Sequence, residues 1–106
     1  MYVRMTFFKL KIGKMQELRE TYNKEVVLAH KGHKGIRFVH LLESLDNKDE
    51  GISITAWDTK ADVEAYEKSG DYEKLVAKFK DMYAEEPLLK SYEVTASSDP
   101  IILRIF

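Results

Sequence analysis

Cysteine is absent from the chain, which excludes disulfides, thiolate nucleophiles and sulfur-ligated metals and fits a reducing compartment. A cytoplasmic location is the expectation. Charge of either sign is not in excess: Lys plus Arg total 17 and Asp plus Glu 18, a net charge of -1. That balance gives no electrostatic reason to expect nucleic acid or an anionic membrane surface as a partner. Long apolar runs are also missing. The opening MYVRMTFFKLKIGK is broken by Arg4, Lys9 and Lys11, so it reads as neither a signal peptide nor a membrane span. No glycine-rich phosphate loop, nucleophile elbow or pair of catalytic carboxylates is found. Two prolines and five glycines are few enough that each reads as a boundary between elements in a single domain of 106 residues.

What is present is a repeated plan. YVRMTFFKL, residues 2–10, is rich in β-branched and aromatic types and is closed by Gly13, so it is expected to be a strand. Met15, Leu18, Tyr22, Val26 and Ala29 then recur at steps of three and four, one apolar helix face running into Gly32. GIRFVHLLES and ISITAW read as two strands joined by the polar connection LDNKDEG. Thr59 and Asp62 have capping-box spacing for a short helix ended by Gly70, and Asp71 is placed to cap the next. Tyr72, Leu75, Val76, Phe79, Met82 and Tyr83 form a second stripe, which Pro87 stops before LLKSYEVT, a last strand.

Strand, helix, strand, twice over, with a hairpin between, predicts a ferredoxin-like βαββαβ α+β fold whose second helical segment is split in two. It consists of a four-stranded antiparallel sheet with helices on one face. The first strand carries Val3, Met5 and Phe7 on one side and Tyr2, Arg4, Thr6, Phe8 and Leu10 on the other, so neither side is polar enough to face water. A second copy is the simplest cover for the face the helices leave, which predicts a homodimer, a dimeric α+β barrel. Residues 1–96 are read as the domain and 97–106 as a tail whose IILRIF run packs on the dimer partner. Residues 1–40 hold nine basic against three acidic side chains and the rest eight against fifteen, most simply solvated faces that neutralise each other in the fold.

The run ISITAWDTKADVEAYEKSGDYEKL, taken with GIRFVHLLES, resembles the antibiotic biosynthesis monooxygenase-like family of dimeric α+β barrels over roughly residues 1–95. The resemblance implies that fold and, for activity, several branches: cofactor-independent oxygenases of phenolic or quinol-like substrates, haem-degrading enzymes, and members of unknown activity. The haem-degrading branch carries an asparagine on the first strand, a tryptophan in the helix after the third strand and an iron-ligating histidine on the next helix. The nearest positions here hold Thr6, Tyr66 and Val76, and no histidine follows His40. Histidine-ligated haem is not expected, nor any other cofactor.

All three histidines lie in HKGHKGIRFVH, residues 30–40. His30 and His33 are read as helix-exit residues that bond the last carbonyls, not as a metal centre. His40 lies on a predicted strand in parity with Ile36, Phe38 and Leu42, facing the barrel interior or the cavity under the helices. It is the candidate catalytic base for a phenol, with Thr6 and Tyr66 orienting. Phe8, Phe38, Thr55, Trp57 and Tyr83 complete the candidate ligand-binding set, Trp57 serving first as a packing anchor. Arg4 could counter a phenolate, but an ion pair at the rim is the simpler expectation. The expected ligand is a small aromatic or polycyclic molecule; the alternative is a non-catalytic dimeric binding or interaction module.

Overall fold

The computed structural model describes residues 1–98. The expected packing of the IILRIF tail therefore falls outside the described residues. In chain order the elements are β1 (Tyr2–Lys9), α1 (Met15–Thr21), a π-helical turn (Tyr22–Val26), α2 (Val27–Lys31), β2 (Ile36–Glu43), β3 (Glu50–Trp57), α3 (Lys60–Ser69), α4 (Asp71–Lys78), a 3-10 turn (Lys80–Met82) and β4 (Leu88–Glu93). The sheet order is β2-β3-β1-β4, and each neighbouring pair is antiparallel. This is the ferredoxin-like βαββαβ arrangement, with the second helical segment split at Gly70.

Side-chain alternation along β1 divides the sheet into two unlike faces. Phe8, Leu10, Val39 and Trp57 join Leu18, Tyr22, Val26, Val63, Tyr66 and Phe79 in the core between sheet and helices. Met5, Phe7, Phe38, Ile52 and Ile54 have the opposite parity and take no part in that core, and Leu42, Leu88 and Tyr92 on the same face are exposed. The face that no described helix covers is thus largely apolar.

Two one-residue irregularities set which side chains reach the core. The first is the π-helical turn, whose wider i→i+5 hydrogen bonding adds a residue to the turn and rotates everything after it. Met15, Leu18, Tyr22 and Val26 are buried as the periodicity predicts, but the next buried residue is His30 and Ala29 is exposed. The second is a bulge at Arg37. Ile36 pairs with Trp57 and Phe38 with Ala56, so Arg37 is the extra residue, and its guanidinium pairs with Asp58 at 2.5 Å. A bulge inverts the parity of the strand beyond it. Ile36 faces the helices, while Phe38, His40 and Leu42 face the bare side.

Local signals elsewhere act as expected, with one exception. The Thr59 side chain accepts from the Asp62 backbone N–H at 3.1 Å and donates to its carboxylate at 2.8 Å, capping α3. Gly70 ends that helix in the left-handed region, at φ +80°, which a glycine adopts without the Cβ penalty. Asp71 does not cap α4. It is the first helical residue, and its carboxylate instead accepts from His33 Nε2 at 2.8 Å, tying the start of α4 to the exit of α2.

Candidate functional site

Between the helix-facing side of the sheet and the helices lies a cavity of about 60 Å³. β1 contributes Arg4, Thr6 and Phe8, and β3 contributes Ser53 and Thr55. Leu18, Tyr22, Val26 and His30 close one side from the first helical segment, and Tyr66, Tyr72, Leu75, Val76, Phe79 and Tyr83 the other from the second. Tyr83 is placed by a strand-like bridge to Leu10. None of the residues of α4 is fully buried, so this helix roofs the cavity without being locked into the core.

Five of the expected ligand-binding residues, Thr6, Phe8, Thr55, Tyr66 and Tyr83, line this one cavity. The others do not. Trp57 is 0% exposed and lies behind the wall, its indole N–H donating to Thr55 Oγ1 at 2.8 Å and its ring 4.9 Å from that of Tyr66. Phe38 and His40 stack on each other at 4.4 Å on the bare face of the sheet. His40 therefore cannot share a ligand with Thr6 and Tyr66, because the bulge at Arg37 turned it to the opposite side. Only its backbone meets the site: the Tyr22 hydroxyl donates to the His40 carbonyl at 3.1 Å and shares a 2.8 Å hydrogen bond with Ser53 Oγ.

The histidine inside the cavity is His30, which is 4% exposed. Its Nδ1 lies 2.8 Å from the Val26 carbonyl, and a carbonyl can only accept, so Nδ1 carries the proton. In the neutral ring Nε2 is then a lone pair, and no described residue bonds it. Burial lowers the His30 pKa below its ordinary 6.5, and the neighbouring His33 and Arg4 lower it further. His30 does lie near the helix exit as expected, but it bonds the Val26 carbonyl at the start of α2, not one of the last carbonyls, and its place in the cavity wall was not expected. The legible signal was the run of four-residue steps from Leu18 through Tyr22 and Val26 to His30, longer than an α-helical repeat.

The phenols are donors and not bases. Burial pushes Tyr22 and Tyr83 up to about 12, and burial also raises Tyr66, against the opposing pull of Arg4. Thr6 donates a long 3.4 Å hydrogen bond to the Tyr72 hydroxyl. Tyr66 is 1% exposed, and its hydroxyl has no hydrogen-bond partner of sound geometry among the described residues. Arg4 is 4% exposed and sits against two rings, its guanidinium carbon 4.9 Å from the Tyr66 centroid and 4.7 Å from that of Tyr72. It makes no ion pair among the described residues, contrary to the rim salt bridge expected of it, because the middle of β1 lies under the helices.

No group of three or more His, Asp or Glu side chains converges among the described residues. His33 Nε2 is occupied by Asp71, and α4 presents Val76 to the cavity, which offers iron no ligand. No described helix is long and apolar enough to cross a membrane.

The buried neutral His30 has a consequence for stability. Unfolding restores its ordinary pKa, so below about 6.5 the unfolded chain takes up a proton that the folded chain resists. Its contribution is therefore complete above 6.5 and is lost as the pH falls toward the lowered folded value, with a slope of at most about 1.4 kcal/mol per pH unit for one proton. Arg4, His33 and Asp71 are the charged or titratable groups acting on it. Denaturant melts between pH 7.5 and 5 should show this slope in the wild type and a shallower one in His30→Gln; identical slopes would show that His30 is not held neutral.

The family model described as antibiotic biosynthesis monooxygenase matches residues 1–78. Among the curated proteins nothing matches. A protein of Deinococcus radiodurans provisionally described as an antibiotic biosynthesis monooxygenase superposes with a TM-score of 0.78 at 12% identity, covering 95% of this chain and 99% of that one. A similarly described protein of Nitrosomonas europaea gives 0.74 at 20% identity, with 91% and 100% covered. A mutant of MhuD with two manganese protoporphyrin IX molecules bound per active site gives 0.74 at 16% identity, with 93% and 99% covered. At these identities the likeness shows the fold.

Proposed function

The chain belongs to the antibiotic biosynthesis monooxygenase family, and from that premise we propose that its cavity binds one small aromatic molecule and oxygenates it without a cofactor, with His30 as the base. The observation that supports this is a buried neutral imidazole with a free Nε2 in the wall of an apolar, aromatic cavity. Such a group removes a phenol proton, leaving an electron-rich ring that reacts directly with oxygen. A phenol with a ring C–H takes up one oxygen atom and becomes a quinone, and the second oxygen atom leaves as water. Thr6, Tyr66 and Tyr72 orient the ring through donors that burial keeps protonated or that lie within reach of one another.

Volume narrows the ligand to a single ring. An apolar cavity of about 150 Å³ holds benzene, whereas this one is about 60 Å³, so α4 must shift outward for even one ring to enter. Porphyrin, which MhuD binds, is far larger, and Val76 offers it no axial ligand. The same small volume favours a second reading, a non-catalytic module whose cavity is a packing defect. Oxygen uptake with a panel of phenols and hydroquinones, alongside thermal-shift binding, separates the two: neither binding nor uptake across the panel supports the module.

We further propose that the bare sheet face is covered by a second copy in a homodimer, in keeping with a cytoplasmic protein that lacks disulfides. Ile54 sits on the central strand β3, paired with Met5 and His40 on that face. In a two-fold interface each substitution acts twice. Ile54→Lys should convert a dimer at micromolar concentration into monomer, because a buried unpaired ammonium costs several kcal/mol. Sedimentation of the wild type as a stable monomer would contradict the dimer.

A further inference from the structure

Arg4 is a permanently charged side chain in the middle of a central strand. Its register partners, Thr55 on β3 and Ser91 on β4, are uncharged. The groups facing it from the helices are Tyr66 and Tyr72, whose rings flank the guanidinium, and neutral His30. Asp71, whose charge acts on Tyr66 and His30, already accepts from His33, and Glu64, Glu67 and Glu93, which line a second pocket with Arg4, make no ion pair with it. Ring faces attract the cation, but they do not accept its in-plane N–H groups, and Nε of Arg4 is buried with no partner among the described residues. The Tyr66 hydroxyl, also buried, lies in the same cavity wall, close enough for Arg4 to act on it but with no partner of sound hydrogen-bond geometry among the described residues. Two buried donors, one of them charged, line one cavity and lack an acceptor. Native interiors rarely leave such groups unsatisfied, and each is costly if nothing answers it.

We propose that Arg4 and the Tyr66 hydroxyl form an anion subsite that selects a ligand carrying one oxyanion, a carboxylate or a phenolate, on its ring. The ring part rests on the aromatic-ligand reading above; the anion part rests on Arg4 alone. A planar oxyanion brings the counter-charge that the fold omits and accepts from both donors. Phosphate-sized or multiply charged groups fit neither the single cation nor the mostly apolar lining.

The test titrates the intact protein with benzoate, 4-nitrophenolate, benzamide as the neutral isostere of benzoate, and acetate as an anion without a ring. Calorimetry gives affinity, and the fluorescence of Trp57, the single tryptophan and a ring neighbour of Tyr66, reports occupancy of this site. Benzoate or 4-nitrophenolate should bind about tenfold to a hundredfold more tightly than benzamide, the range of a charged hydrogen bond. Arg4→Met should abolish that preference without lowering the melting midpoint of the unliganded protein, because a buried unpaired charge is replaced by an apolar chain of similar length. Should Arg4→Met not fold, Arg4→Lys carries the test, since it keeps the charge but not the planar fork. Benzoate affinity falling by about threefold or more in that variant supports the subsite, and unchanged affinity overturns it.

Benzamide binding as tightly as benzoate overturns the subsite and leaves the aromatic pocket standing. Arg4-dependent acetate binding, with no ring compound binding better, supports the subsite and overturns the aromatic reading. The order of benzoate and 4-nitrophenolate identifies the carboxylate or the phenolate as the source of the anion. Binding of none of the anions, or a preference that survives Arg4→Met, overturns the proposal.

Discussion

Trp57→Ala is expected to remove about 3–5 kcal/mol of stability, the range for deleting a buried aromatic, and to lower the melting midpoint by roughly 12 °C or more for a domain of this size. Trp57 is wholly buried at the end of β3, where it pairs with Tyr2 on one side and Ile36 on the other. Its ring meets Tyr66 of α3 at 4.9 Å, His30 of α2 at 6.4 Å and His33 at 6.2 Å. One side chain therefore anchors both helical segments to the sheet, directly behind the cavity wall. Its loss also leaves Thr55 Oγ1 without its donor. Trp57→Phe keeps most of the ring and should cost clearly less than the alanine change. Calorimetric melts decide the matter: an alanine variant within a few degrees of wild type would mean that the helices collapse into the vacancy and that the corner is not an anchor.

The sequence carried the outline of this fold because the signals that specify it are local or strictly periodic. Strand β1 alternates without interruption, so its two faces, both rich in apolar residues, could be read directly from Tyr2 to Leu10. The Thr59 and Asp62 cap and the Gly70 stop are contained within a few residues and acted as read. The site was less legible because two single-residue shifts decide it. Counting in steps of 3.6 beyond Tyr22 points to Ala29, but the π-helical turn delivers His30. Counting in twos from Ile36 points His40 inward, but the Arg37 bulge delivers Val39. Each shift moves a histidine across a boundary between water-facing and core-facing positions; the four-residue steps from Leu18 to His30 signal the first, and no spacing rule records the second. Arg4 was misjudged for a related reason: an arginine on a strand usually finds a carboxylate at the rim, and only the placement of Tyr66 and Tyr72 over it shows that this one does not.

Under the oxygenase reading, the same one-residue shift makes His30→Gln the substitution with the largest effect on chemistry. A positioned base contributes about a hundredfold to ten-thousandfold, so turnover of a phenolic substrate should fall by that factor while His40→Gln leaves it nearly unchanged. Glutamine can keep a polar contact to the Val26 carbonyl, now made by Nδ1 at 2.8 Å, but it has no basic nitrogen to take the substrate proton. The pH profile carries an independent signature. Because burial holds the His30 pKa below 6.5, the base is competent across the neutral range and kcat/KM should drop only on the acid side, once the imidazole is protonated. With His30→Gln that acid limb should disappear from whatever activity remains. A substrate already ionised in solution needs no base, so its turnover should be far less sensitive to the change than that of a neutral phenol of similar shape. Equal losses for the ionised and the neutral substrate would show that His30 shapes the cavity and moves no proton.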